Sequence, residues 1–525
     1  MSNRRLLATV ALTLPMNLLA GQAWAKPAAA PMPTPAPASA TAPAKVEAKP
    51  AAKADAAERE RERWYALMIM GKKSGYMQST LKREGDRITT RSNLVIAMRR
   101  GELKIELGID TTFVETADGK PVSMTSVRKL GTLPTTETVE FGATEMTIST
   151  KQGDNTTVTR KPNPKEVFLA PAAAERFLAA EQAKGNKKIT VRTIDPSDGP
   201  NIVTLTREIG ASQNLELLGK TVQATRASST IDKYPGIKTE EYLSDDGELL
   251  KTIVNLGGIK MEQLLSDRDL AMADKDVPEL LVSTIVKLDK PIENARTLQK
   301  ASYVLTVTDG ELPELPNVGF QQFARVAPGA GRVTLDLTRG GSFATSADEK
   351  IDYLAASGML NWRDPAVEAL LKKALTREIT DEAARAEALR VFVHRTIATK
   401  DMSVGFASAS ETARTLTGDC TEHAVLLAAL MRGANIRSRV VSGMVYVDGF
   451  AEQKHVFGYH MWAQALISTP DGAKWVDFDA ALDPKHAFDA THITLGVSAL
   501  ADGDTQNYLV TMAPLIGRLV VKPAK

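Results

Sequence analysis

One cysteine, one histidine and one aspartate follow one another in the last third of the chain and carry its strongest chemical signal. Cys420 is the single cysteine and lies in the string TGDCTEHA. His460 lies in YHMW, and Asp479 ends the string WVDFD. Residues in this order are typical of a thiol nucleophile, its base and the group that orients the base. A lone cysteine cannot form an internal disulfide, so the thiol is either inert and buried or kept for its reactivity.

The local sequence predicts a helix under the cysteine. Gly418 and Asp419 precede a strongly apolar segment that runs from Cys420 to Arg432 and ends at Gly433. The thiol would then lie on the first helical turn, where unpaired N–H groups and the positive end of the dipole stabilise a thiolate. The same N–H groups can point at a developing oxyanion.

The histidine and the aspartate are predicted to lie on neighbouring strands. Strands are expected at residues 438–447, 457–468 and 474–479, and the tight turn Pro470-Asp471-Gly472 joins the last two. Counted back from that turn, His460 and Asp479 become cross-strand or diagonal neighbours. An aspartate beside a histidine fixes the imidazole tautomer and stabilises its cation.

Other residues compete for these roles. Asp477 and Asp483 are alternatives to Asp479, and His423 is a rival base that more simply packs near the site. The thiol itself is also compatible with a small buried hydrophobe, and His460 with a hydrogen-bonded core histidine.

A zinc set is a further alternative. Cys420, His423, His455 and His460 include a Cys-x-x-His spacing. The absence of a second cysteine and the expected exposed position on the first turn disfavour it. No calcium loop is recognisable, so we expect neither a metal nor another cofactor.

Three sequence blocks resemble the transglutaminase-like superfamily of papain-like fold. They are Gly418-Asp419-Cys420 opening a helix, HMWA from His460 and WVDFDA up to Ala480, within a match of about Ser346 to Ile493. The resemblance implies an α+β domain with Cys420 as nucleophile, His460 as base and Asp479 as orienting group. Members include crosslinkers, peptidases, amidases and inactive binding relatives. Phe406 lies nearest to the aromatic oxyanion donor of the crosslinking enzymes, but it cannot donate a hydrogen bond.

The chain is predicted to divide into five parts. They are a signal peptide (1–25), an Ala/Pro-rich disordered linker (26–57), a β-rich domain of unknown role (58–275), a small β module (276–345) and the transglutaminase-like catalytic domain (346–525). The signal peptide rests on Arg4 and Arg5, a short apolar stretch and the small residues Ala23 and Ala25. We therefore expect a periplasmic or secreted protein.

Alternating apolar and polar residues predict the fold class of the longer N-terminal part. It is expected to be a large antiparallel sheet, curved or half-barrel in shape, interrupted by one helix from Pro171 to about Ala183. The C-terminal α+β part is predicted to begin with three helices. The first starts at Asp364-Pro365, the second is capped by Thr380, and the third spans Ser408 to Leu416.

Charge, aromatic content and the length of the apolar segments limit the kinds of partner that we expect. Lys plus Arg is 65 and Asp plus Glu is 63, and aromatic residues make up 5% of the chain, so a nucleic-acid partner is not expected. No segment after the first 25 residues is apolar for long enough to cross a bilayer.

The residues therefore predict an exported cysteine-dependent amide hydrolase or acyltransferase that acts on protein or peptide substrates, cell-wall peptides included. Peptidase or amidase activity is favoured over protein crosslinking because water is the default acceptor. The alternatives are a catalytically silent periplasmic binding protein and an assembly scaffold.

Overall fold

The computed structural model describes residues 60–100, 103–129, 133–153, 155–233, 237–245, 247–278, 285–399, 406–450, 453–486, 488–501 and 515–524. The predicted signal peptide and linker, residues 1–25 and 26–57, lie outside this part of the chain.

The N-terminal region forms one 14-stranded antiparallel sheet. Its strands are β1 (Glu60–Ile69), β2 (Lys72–Glu84), β3 (Arg87–Arg100), β4 (Leu103–Thr116), β5 (Pro121–Lys129), β6 (Thr135–Phe141), β7 (Glu145–Gln152), β8 (Asn155–Pro162), β9 (Lys188–Ile194), β10 (Ile202–Leu217), β11 (Lys220–Ile231), β12 (Lys238–Leu243), β13 (Leu249–Leu256) and β14 (Ile259–Ser266). The order runs from β8 down to β1, then from β14 down to β9, so the first strand pairs with the last.

A helix packs against this sheet. Helix α1 (Pro171–Ala183) connects the two edge strands β8 and β9. Its Ala174 and Leu178 are buried in the same apolar core as Tyr65 of β1. Glu115 of β4 accepts hydrogen bonds from two N–H groups of the first helical turn, each at 2.9 Å. A short helix, α2 (Arg268–Met272), follows the last strand. The prediction of a large antiparallel sheet interrupted by one helix at 171–183 is confirmed.

A four-stranded sheet follows, in the order β17-β18-β16-β24. Its strands are β16 (Lys300–Val307), β17 (Gln321–Ala327), β18 (Ala330–Asp336) and β24 (Leu519–Pro523). Strand β24 comes from the far end of the described chain and pairs with β16. The two-residue strand β15 (Val286–Lys287) pairs instead with β21 of the next sheet.

The C-terminal domain combines helices with a sheet, as the predicted fold class requires. The helices are α3 (Pro365–Ala374), α4 (Glu382–Thr396), α5 (Ala409–Thr415) and α6 (Cys420–Gly433). The strands are β19 (Ser342–Phe343), β20 (Ser438–Phe450), β21 (Gln453–Thr469), β22 (Gly472–Phe478) and β23 (His492–Ser498), in the sheet order β19-β22-β21-β20-β23.

One predicted helix cap is wrong. Asp381, and not Thr380, caps α4, because its carboxylate accepts a hydrogen bond from the N–H of Ala384 at 2.7 Å. The caps of the neighbouring helices agree with the sequence: Asp364 caps α3 and Ser408 caps α5.

Helix α6 is the central element of the C-terminal domain. Residues 425–431 are wholly buried, which explains why the segment is apolar all round. They share one core with Met461, Ala463 and Ala465 of β21. The cysteine helix and the histidine strand therefore pack directly against each other.

The large sheet contacts the C-terminal domain near this helix. The Ser408 hydroxyl donates to the side-chain oxygen of Gln152 at the end of β7 at 2.6 Å. The N–H of Leu133 donates to the Glu411 carboxylate at 3.1 Å. Tyr459, the neighbour of His460, packs against the apolar core of the large sheet. In the part of the chain that the structure describes, no helix has the length and apolar character to span a membrane.

Candidate active site

Cys420 is the first residue of α6 and is half-buried. Asp419 caps the helix with its carboxylate, which accepts from the N–H of Thr421 at 2.9 Å. Glu422 completes a capping box by accepting from the N–H of Asp419 at 2.9 Å. These contacts fix the first turn on which the thiol lies.

The glycine before this cap is required by the space around it. Gly418 has φ of +152°, and a Cβ placed there would lie 2.3 Å from the Cβ of Glu422. Glu422 also accepts from the N–H of Ala407 at 2.9 Å, which ties the loop before α5 to the cysteine helix. Burial and the nearby Asp419 raise the pKa of Glu422.

His460 lies between the cysteine and the aspartate. Its Nε2 is 2.7 Å from Oδ2 of Asp479, and its side chain is 10% exposed. Cys420 lies close enough to the same ring to raise its pKa. Because Nε2 is engaged by the carboxylate, Nδ1 is the nitrogen available to the thiol. The structure thus brings together the three residues that the sequence singled out.

The electrostatics of His460 and Asp479 favour the charged form of both side chains. Burial by itself lowers the pKa of His460, but Asp479 and Cys420 outweigh it and raise that pKa well above its usual range. Burial also opposes ionisation of Asp479, yet His460 and His492 hold the pKa of its carboxyl well below its ordinary value. An ionised Asp479 therefore accepts a hydrogen bond from the N–H of His460.

Asp479 has further partners that set its position. Its Oδ1 accepts from the N–H of Ala481 at 2.7 Å, and its backbone oxygen accepts from the buried guanidinium of Arg390 at 3.1 Å. Its Oδ2 also lies 3.2 Å from Nε2 of His492, which is the first residue of β23. The sequence interpretation did not identify His492.

Asp477, the closest rival to Asp479, has a different set of contacts. Its Oδ1 accepts from Nε1 of Trp462 and from Nε2 of Gln464, each at 2.7 Å. Its Oδ2 accepts from the N–H of Phe320 at 3.2 Å. Burial raises its pKa. The Trp462 ring stacks on that of His460 with centroids 6.0 Å apart, so Asp477 fixes the ring beneath the histidine.

The other sequence candidates lie apart from this contact. His423 is 2% exposed, and its Nδ1 donates to the backbone oxygen of Asp419 at 2.6 Å. Within the described ranges, the residues whose ligand atoms meet closely enough to hold a metal are His460, Asp479 and His492, with those atoms within 4.8 Å of one another. Cys420, His423 and His455 of the zinc alternative are not in this group. The atoms that do meet are already joined by hydrogen bonds.

The small β module, which contains the four-stranded sheet, makes hydrogen bonds to the segments that carry the site. Gln321 of β17 makes two hydrogen bonds to the backbone of Thr494 in β23, at 2.8 and 2.9 Å. The Tyr303 hydroxyl donates to the backbone oxygen of Ala490 at 3.0 Å. These contacts, with that of Phe320, fix the strands that carry His492 and Asp477.

Comparison with known families identifies the C-terminal domain. The model of the transglutaminase-like superfamily matches residues 370–480. Residues 370–480 therefore form a transglutaminase-like core domain. The matched transglutaminase-like residues include Cys420, His460 and Asp479, and they end before His492.

Solved structures similar to this chain include a β-barrel-like protein with a domain of unknown function from Brucella abortus. It is 18% identical with a TM-score of 0.32, and the match covers 40% of this chain and 97% of that one. The periplasmic domain of TgpA from Pseudomonas aeruginosa is 13% identical with a TM-score of 0.26, covering 39% and 92% respectively. A comparison with curated proteins finds no match.

Proposed function

We propose that this protein is an exported cysteine-dependent hydrolase or acyltransferase that acts on amide bonds. The observation that carries the proposal is the 2.7 Å contact between His460 and Asp479, with Cys420 on the first turn of α6 close enough to His460 to raise its pKa. Asp479 and Cys420 outweigh burial and raise the pKa of His460, which favours a proton on the imidazole, and a thiolate beside an imidazolium is the reactive form of cysteine.

The reaction begins with attack of the Cys420 thiolate on the substrate carbonyl carbon. The carbon–nitrogen bond then breaks, His460 gives its Nδ1 proton to the leaving amine, and a thioester remains on the sulfur. Water attacks the thioester while His460 takes its proton, which releases the carboxylic acid and restores the thiolate–imidazolium pair. An amine in place of water gives acyl transfer.

The first turn of α6 offers an oxyanion donor. The N–H of Thr421 is engaged by Asp419. The first N–H groups of a helix lack partners within the helix, so we assign the Cys420 N–H to the developing oxyanion.

Hydrolysis of peptides or of other amides is the favoured outcome, because water is the default acceptor. Export rests on the sequence of residues 1–25, which lie outside the described residues. The substrates proposed are proteins or peptides, cell-wall peptides included.

The test is the rate of Cys420 alkylation by iodoacetamide from pH 4 to 10. We expect wild type to react at pH values below the ordinary thiol range of about 8.5, and His460→Ala to lose this low-pH reactivity. His455→Ala, on the same strand, serves as control and should react as wild type does. A thiol of ordinary reactivity in wild type would reject the enzyme and favour the silent binding protein. A panel of peptide amides, with Cys420→Ala as blank, would then measure turnover.

A further inference from the structure

A second imidazole contacts the carboxylate that orients the catalytic one. His492 is wholly buried, and its Nε2 lies 3.2 Å from the Asp479 oxygen that His460 also contacts. The ring is held by aromatic neighbours on two sides. Phe488 stacks on it with centroids 4.1 Å apart, and Trp462 meets it edge-on at 5.3 Å. The orientation of this imidazole is therefore fixed by packing.

The contacts of His492 determine where its protons are. Its Nδ1 lies 3.0 Å from the backbone oxygen of Asp489, and a carbonyl oxygen can only accept, so Nδ1 carries a hydrogen. Its Nε2 faces the carboxylate of Asp479, which also accepts, so Nε2 carries a hydrogen as well. A ring with both nitrogens protonated is a cation.

The surrounding charges are consistent with a buried cation at this position. The Asp489 carboxylate lies 3.4 Å from Nδ1 of His492, in addition to Asp479 on the other side. Asp489 is in turn paired with Arg296 of the small β module at 2.9 Å. From His460 through Asp479, His492 and Asp489 to Arg296, basic and acidic side chains alternate in direct contact.

We propose that His492 is a positioning residue: its Nε2–H donates to Oδ2 of Asp479 and holds this oxygen in the orientation that His460 requires. This inference rests on the proposed function, since it concerns the same site. Asp479 has three donors, namely His460, His492 and the N–H of Ala481. Without His492, Oδ2 contacts only the residue that it must orient, and the carboxylate is restrained independently only through Oδ1, by the N–H of Ala481.

Two substitutions separate this role from a purely structural one. In His492→Gln the amide nitrogen replaces Nε2, so the contact with Asp479 is kept and that with Asp489 is lost. In His492→Asn the amide nitrogen replaces Nδ1, so the contact with Asp489 is kept and that with Asp479 is lost. A positioning role through Asp479 predicts that Gln rescues function and Asn does not, and an anchor for the backbone at Asp489 predicts the reverse.

The first readout does not depend on reactivity. In the full chain, the proton on Nε2 of His460 should give a downfield resonance, identified by its loss in His460→Ala. We expect this resonance to persist in His492→Gln and to disappear through exchange with water in His492→Asn. Persistence in His492→Asn overturns the proposal. If His492→Asn does not fold, His492→Gln decides alone, since loss of the resonance there overturns the proposal and retention supports it.

The second readout is the alkylation rate of Cys420 at pH 7. We expect His492→Gln to stay within about threefold of wild type and His492→Asn to fall by about tenfold or more, because a misplaced Asp479 no longer stabilises the His460 cation. Equal rates in the two variants contradict the positioning role. Failure of the proposed function would appear differently, as an unreactive thiol in wild type.

Discussion

Trp462 donates its indole N–H to the buried carboxylate of Asp477 at 2.7 Å, although Asp477 has no contact with His460 in the described structure. The pair fixes the ring on which the imidazole stacks. The two aspartates of the WVDFD string thus have separate roles. Asp477 holds the Trp462 ring on which His460 stacks, and Asp479 contacts Nε2 of His460.

Substitution of each aspartate should separate these tasks. We expect Asp479→Asn to reduce Cys420 alkylation at pH 7 by about tenfold or more, because loss of the carboxylate charge lowers the pKa of His460 toward its ordinary value. Asp477→Asn should keep most of the reactivity but lose about 1–3 kcal/mol of stability, because its new amide faces the N–H of Phe320. Alkylation rates and urea unfolding measure the two effects. The opposite pattern would assign the orienting role to Asp477.

Gly443 should tolerate no side chain. It pairs with His460 across β20 and β21, and a Cβ there would lie 2.2 Å from the backbone oxygen of Ile493 and 2.4 Å from the Trp462 ring. We expect Gly443→Ala to cost about 1–3 kcal/mol in urea unfolding and to reduce thiol reactivity, since strand and ring must both shift. Gly458→Ala is the matched control, because a Cβ at Gly458 meets no atom within 4 Å. Equal stability of the two variants would contradict this account.

The stability contributed by His492 should depend on pH in one direction. Burial lowers its pKa, but Asp479 and Asp489 outweigh burial and raise that pKa above the ordinary value of about 6.5. A raised folded-state pKa gives stability that is complete below about pH 6.5 and is lost as the pH rises through the folded-state value. The deficit of His492→Gln relative to wild type should therefore be larger at pH 6 than at pH 9.5, by at least about 1 kcal/mol. Urea unfolding at both pH values measures it, and a constant deficit would argue against a charged His492.

The hydrogen bond between the large sheet and helix α5 should contribute measurably to the free energy of unfolding. Ser408 donates to Gln152 at 2.6 Å, but it also caps its own helix. A double-mutant cycle with Ser408→Ala and Gln152→Ala removes the capping contribution and isolates the contact. We expect a coupling of about 0.5–1.5 kcal/mol in urea unfolding, typical of one hydrogen bond. A coupling near zero would mean that this contact does not join the two domains.

The sequence predicted those parts of the site whose signals are local. The cap at Asp419, the apolar run of α6 and the turn at Asp471-Gly472 each depend on a few neighbouring residues, so the helix and the hairpin were correctly predicted. The sequence favoured Asp479 and kept Asp477 as an alternative, because residues two positions apart on a strand lie on the same face. Only the end of β22 at Phe478 separates them.

The role of His492 and the order of the strands could not be predicted from local sequence. His492 reaches Asp479 because β23 pairs with β20 and not with the hairpin that carries His460 and Asp479. The closure of the large sheet by β1 on β14 likewise joins residues about two hundred positions apart. Such pairings depend on the global packing, and no turn or repeat in the sequence encodes them.

Strand β24 completes the four-stranded sheet that supports the candidate site. It pairs with β16 in the small β module, and this module carries Gln321 and Phe320, which hold the strands behind the thiol. During synthesis, residues 519–523 emerge after Cys420, His460 and Asp479 have all been made. The four-stranded sheet is therefore completed only after all three of these residues have been synthesised.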